Sequence, residues 1–335
     1  MKDKNYLIYF MQTWGIILVV AGHSFYQTQD NSRIIDWIYS FHMPLFMFVS
    51  GYLLRYTTTA KHIQLNNIEL WGRKGYLTLK AKRLLIPYII ISSMVYLPKV
   101  FLASVSVRPI ECTPYSYIRM LIYPYTNVIG SFWFLPTIFL IFVAIMYGAK
   151  IMRQTNELLI IIALLIINIY LGLDQETVFN ISGVFYYMLY IALGYYFCKY
   201  GIENKLKYYS LKIAIITFIL SIVMVLYVPY FTGYDVITSV NGILMSIALG
   251  QLYINYGCRF FNHLYGATYT IYLLSWFPQV ASQQFVLSIV QVPWYVTTTL
   301  ALVSGIYVPL IIYKWIIKHK NSRPGHIMAF ITGLS

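Results

Sequence analysis

Charge is what this sequence has least of. Only 10% of its 335 residues are Asp, Glu, Lys or Arg, against about 25% in an ordinary soluble domain. A globule of this length needs a charged shell, so a soluble fold is excluded. Acidic residues are scarcest, ten against 24 basic ones. Cysteine is nearly absent too: Cys112, Cys198 and Cys258 lie far apart, with no CxxC or Cys/His spacing. Neither a disulfide framework nor a metal site is indicated. Gly-x-Ser-x-Gly elbows, Cys/His pairs and Walker loops are missing as well, which argues against a soluble-hydrolase nucleophile and against ATP-driven transport.

What is present is apolar. Hydrophobic residues make up 59% of the chain and mean hydropathy is +0.66. The 34 tyrosines and 7 tryptophans suit belts at a membrane interface. Stretches long enough to cross about 30 Å of hydrocarbon fall near Leu7–Tyr26, Ile34–Leu54, Leu84–Val105, Phe132–Ala149, Leu158–Leu171, Ile181–Cys198, Ile213–Tyr230, Val236–Tyr256, Ala267–Val290 and Trp294–Ile317. The expected fold is therefore all-α, a polytopic membrane protein of about ten transmembrane helices. No soluble domain of useful size is expected.

The basic residues give this topology a direction. With the N-terminus inside, twenty of the 24 Lys and Arg fall in connections on the cytoplasmic side; Arg33, Arg108 and Arg119 fall outside, and Lys99 lies within the third span. Cytoplasmic loops are enriched in Lys and Arg, so both termini are expected to be cytoplasmic in a multi-pass plasma (inner) membrane protein. Residues 1–320 form the membrane domain and 321–335 a short cytoplasmic tail. The net charge of +14 then follows from topology and calls for no nucleic acid partner.

Strongly polar side chains inside spans cost about 2.5–3.5 kcal/mol each on insertion scales, so they mark interior or watery surfaces. The first span carries Gln12 and His23, eleven residues apart, about three helical turns, hence on nearly one face. The second carries Asp36, His42 and Pro44. His23 and His42 are expected in a similar outer layer, where a histidine is the usual general base for a sugar hydroxyl. The bland alternative is a buried imidazole bonded to a backbone carbonyl freed by Pro44. On the cytoplasmic side Lys80 and Arg83, three residues apart, share a helix face and can clamp a phosphate. Ordinary topological charge or lipid-headgroup contact would explain them equally.

An ordered set of motifs then runs along most of the chain. It comprises Gly15 to Ser24 with Gly22-His23-Ser24, Phe41-His42-Met43-Pro44-Leu45-Phe46 through Ser50-Gly51-Tyr52, and Arg83-Leu84-Leu85-Ile86-Pro87-Tyr88. Phe132-Trp133-Phe134-Leu135-Pro136, Leu193-Gly194-Tyr195 and Tyr269 to Trp276 complete it. The set resembles the acyltransferase family 3 membrane O-acyltransferases, particularly the fucose O-acetylase-like members. The resemblance implies a ten-helix domain that takes an acyl group, usually acetyl, from cytoplasmic acyl-CoA and places it on a carbohydrate hydroxyl. It also implies that His23 belongs to the transfer site and the Lys80/Arg83 pair to the donor site. Gln12 stands where the family commonly has Arg or Lys, and Ser275 where many members have His.

The expected mechanism docks the phosphates of acetyl-CoA on Lys80, Lys82 and Arg83, with the thioester in a pore lined by Gln12, Trp133 and the first two spans. His23 acts as general base or takes the acyl group itself. His42 and Asp36 orient it or relay the proton. The acceptor is a carbohydrate on the external face, possibly lipid-linked, and no metal takes part. Two alternatives stay open: a non-enzymatic exporter of a glycan or small acid, and an inactive subunit of a polysaccharide assembly complex.

Overall fold

A computed structural model describes residues 5–25, 32–101, 111, 113–151, 156–174, 176–289 and 292–334. Cys112, Lys2, Lys4, Arg108 and Arg153, and the expected span ends Tyr26, Val105 and Val290, lie outside the described residues. The protein is an all-α polytopic membrane protein. Its helices are α1 (Tyr6–Ser24), α2 (Ser32–Tyr39), α3 (His42–Ala60), α4 (Tyr76–Phe101), α5 (Pro114–Ile122), α6 (Phe134–Ile151), α7 (Glu157–Leu171) and α8 (Ile181–Lys199). There follow α9 (Ile202–Leu206), α10 (Ser210–Tyr227), α11 (Tyr234–Asn255), α12 (Thr268–Leu274), α13 (Trp276–Ile289), α14 (Trp294–Lys318) and α15 (Arg323–Ile331).

Among the described residues, eight helical runs are long and apolar enough to cross a membrane. The other two expected spans take different forms. Residues Leu158–Leu171 lie in α7, an apolar helix of only 15 residues. Ala267–Val290 is split into α12 and α13 at Ser275.

Proline explains two interruptions. Pro278 has no amide hydrogen to offer the Leu274 carbonyl, and the helical ladder is interrupted at Ser275, whose backbone itself stays helical. Pro44 likewise offers nothing to the Ser40 carbonyl, and the expected second span is broken there into α2 and α3. The Ser239 hydroxyl donates to that freed carbonyl at 3.0 Å, restoring the bond that an apolar surrounding demands.

The chain divides into two compact units. The first comprises Met1–Thr57 with Tyr190–Trp315 and the second Thr58–Leu189 with Ile316–Ser335. In the first, α1 packs on α2, α11 and α12, and α10 packs on α11. Leu18, Ile38, Phe41 and Met245 form a buried cluster there, flanked by Trp14 and Trp37. Small residues allow the helices to approach, as association in lipid requires. A Cβ on Gly51 would run into the Ile191 carbonyl, and one on Gly194 into the Phe48 carbonyl. In the second unit α4 packs on α6 and on α15. Its buried polar groups are paired: the Asn127 amide donates to Ser92 Oγ at 2.9 Å, and the Asn180 amide to Thr137 Oγ1 at 2.7 Å.

Candidate active site

The C-terminal end of α1 is held from two sides. A helix leaves its last carbonyls without intrahelical partners, and here side chains supply them. The Val20 carbonyl accepts from Ser24 Oγ at 2.7 Å and from Gln279 Nε2 at 2.8 Å. Gln279 Nε2 also donates to Ser24 Oγ at 2.8 Å. One turn further along α13, Gln283 Nε2 donates to the Ser24 carbonyl at 3.2 Å and to the His23 carbonyl at 3.4 Å. The Tyr39 hydroxyl of α2 donates to the Gly22 carbonyl at 3.3 Å. Glycine is required at position 22, because a Cβ there would lie 2.6 Å from Tyr39 Cε1.

The result is a fixed backbone carrying an exposed imidazole, that of His23. Its Nδ1 lies 3.5 Å from the Tyr39 hydroxyl, and the two ring centroids are 6.1 Å apart. The same tyrosine ring packs 5.0 Å from the ring of His42, which is only 6% exposed. Sequence reasoning placed the two histidines in one layer, and within this unit both contact Tyr39. His42 Nδ1 is 2.9 Å from the Ile38 carbonyl. A carbonyl only accepts, so Nδ1 carries the proton and Nε2 is the basic nitrogen of the neutral ring. The imidazole-to-carbonyl bond therefore exists as the bland alternative supposed, but its acceptor is Ile38, not the Ser40 carbonyl that Pro44 frees.

Gln12 and Asp36 stand apart from this cluster. Gln12 is half-buried on the same continuous helix as His23, but eleven residues put it about 16 Å away along the axis, too far for a shared contact. Its amide has no hydrogen bond among the described residues. Asp36 is exposed, and no hydrogen bond joins its carboxylate to either histidine.

In the second unit the expected donor residues share little geometry. The Lys80 ammonium lies 4.1 Å from the ring centroid of Phe142 and 5.4 Å from that of Tyr76, so it is held over aromatic faces. Lys82 and Arg83 are exposed. Gly333, just beyond α15, comes so close to Arg83 that a Cβ there would lie 2.6 Å from its carbonyl oxygen. Trp133 is stacked on Tyr125, at 5.0 Å, and on Tyr187, at 5.4 Å. Burial pushes the Tyr125 phenol above the ordinary tyrosine range, with a hydrogen bond to Asn180 pulling the other way, so it remains protonated.

Tyr39, Ser24, Gln279 and Gln283 are the residues that sequence reasoning missed. The signal for the two glutamines was available: both are strongly polar, four residues apart, and inside an expected span. The rule that singled out Gln12 applies to them equally. Ser24 stood inside a quoted motif without a role, and nothing in the pattern distinguished Tyr39 from 33 other tyrosines.

No curated protein and no solved structure matches this chain. The model of acyltransferase family 3, described as an acyltransferase domain, matches residues 5–314, nearly the whole length. A multi-pass helical membrane protein matched over that span belongs to acyltransferase family 3.

Proposed function

We propose that this membrane acyltransferase moves an acetyl group from cytoplasmic acetyl-CoA to a hydroxyl of a surface or lipid-linked polysaccharide. The observation that carries this reading is the end of α1, where Ser24, Tyr39, Gln279 and Gln283 fix the backbone around an exposed His23 imidazole. A base held by a rigid element needs little reorganisation when it meets its substrate.

His23 takes the proton of the sugar hydroxyl as its oxygen attacks the thioester carbonyl carbon. The new C–O bond forms, the C–S bond breaks, and the proton passes to the departing CoA thiolate. His42 orients the cluster through Tyr39 and does not touch the reacting atoms. Lys80, Lys82 and Arg83 take the phosphates of the donor, which requires the Lys80 ammonium to leave the Phe142 ring or to share it. The excess of Lys and Arg in alternate connections supports cytoplasmic termini, and with them a donor site at Lys80, Lys82 and Arg83 on the side where acyl-CoA is made. The plasma membrane is the natural location for that chemistry.

The test is mass spectrometry of the surface polysaccharide from cells with and without the gene. O-acetyl groups disappear and the amount of polysaccharide stays constant. Unchanged acetylation would reject this function for that glycan, and loss of the polysaccharide itself would point to export.

A further inference from the structure

A groove of about 280 Å³ runs between α2 and α10, within the first unit. Ile34 and Trp37 of α2 and Phe218, Ile222 and Val225 of α10 line it, and Arg33 is its one charged residue. Its wall is fixed: Trp37 Nε1 donates to Ser221 Oγ at 2.9 Å, and its ring meets Phe218 edge-on at 6.4 Å. The groove opens outward, with Ile34 47% and Phe218 48% exposed. Only 28% of the hydrophobic window of the run containing α10 is buried, as expected of a helix facing lipid.

The chemistry of the lining selects the ligand. A sugar needs many hydrogen-bond partners, and the Trp37 indole N–H is already used by Ser221. What the groove offers is hydrocarbon contact plus one guanidinium, which pairs well with a phosphate. No carboxylate pairs with Arg33 among the described residues. The complementary molecule is an anionic lipid with a phosphate at the head of an extended chain. Trp37 and Tyr39 are two residues apart and leave α2 on opposite sides, Trp37 toward α10 and Tyr39 toward the end of α1. Arg33 lies about 9 Å along the helix from Tyr39, by its rise per residue. One short helix thus separates a lipid-facing groove from the histidine cluster.

We infer that the α2/α10 groove holds the lipid phosphate that anchors the acceptor saccharide, with the chain along Phe218 and Val225 and the phosphate on Arg33. This rests on the proposed transfer to a carbohydrate and makes its acceptor a polyprenyl-phosphate-linked one. A saccharide attached there begins at the phosphate, so its first sugars lie on the helix that bears Tyr39. The anchor also restricts the acceptor to two dimensions and raises its effective concentration at the site.

The test uses the full-length protein in phosphatidylcholine nanodiscs with a fluorescent long-chain polyprenyl phosphate as probe. Wild-type protein retains it, while Arg33→Gln and the groove-filling Val225→Trp each weaken retention about tenfold. Equal retention by wild type and both variants would overturn the inference. So would equal retention of the polyprenyl alcohol, or displacement by an equal mole fraction of phosphatidylglycerol. In parallel, acetyl transfer from acetyl-CoA to a water-soluble oligosaccharide is measured with wild-type protein. Absence of any transfer by wild-type protein would instead count against the proposed function, so the two failures are distinguishable.

Discussion

The end of α1 and the start of α4 are both polar regions of an apolar chain, and they are built differently. At the end of α1, side chains from α2, α13 and α1 itself converge on four carbonyls within little more than one turn and leave one imidazole presented from a fixed backbone. At the start of α4, Lys80, Lys82 and Arg83 come from one helix turn, and the most sheltered of them rests on aromatic rings. The first arrangement specifies where an atom is. The second supplies charge and holds only the Lys80 ammonium in place. The roles proposed for them, bond making at the first and phosphate attraction at the second, accord with that difference, because chemistry needs geometry while attraction of a polyanion needs mainly charge.

Four substitutions test how far the contrast holds. His23→Ala should lower kcat by about 10²–10⁴-fold, roughly 3–5.5 kcal/mol of barrier, in initial-rate assays on reconstituted protein. Lys80→Met should raise KM for acetyl-CoA about tenfold and leave kcat nearly unchanged, the signature of lost donor binding. An unchanged KM with only a small loss of thermal stability would reduce Lys80 to a stacking residue. Tyr39→Phe keeps the ring against His42 and removes the hydroxyl shared by the Gly22 carbonyl and His23. A fall in kcat of about two- to tenfold with constant KM is expected, and rates equal to wild type would deny Tyr39 a positioning role. Trp133→Phe should change either constant by less than about threefold, since the indole is already engaged in stacking on Tyr125 and Tyr187 and a phenyl ring can keep it. A larger shift in KM would show that the indole touches the donor.

Much of the fold was legible in the sequence because crossing a bilayer imposes a length and a composition on each helix. The helical, multi-pass character came directly from those runs. The breaks came out less well. Pro44 and Pro278 were visible, yet whether a proline kinks a span or divides it depends on what satisfies the carbonyl four residues back, and Ser239 lies 199 positions from Ser40. Within the candidate site, His23 could be singled out by its own polarity in an apolar span. The site was hidden where the signal was a meeting of distant residues: Gln279 is 259 positions from Val20. Two quoted motifs proved to carry packing, since Gly51 and Gly194 each face the backbone of the other helix. Asp36, an acidic residue in the second expected span, is exposed and makes no hydrogen bond to either histidine.

The most direct measurement is transfer itself. Purified protein in liposomes would receive acetyl-CoA labelled in the acetyl group together with a saccharide acceptor, and the glycan would be examined for labelled ester. The account predicts base-labile labelled ester on the glycan, formed by wild-type protein and nearly lost in folded, inserted His23→Ala. Ester formation at the wild-type rate by that variant, or no labelled ester from wild-type protein, would contradict it.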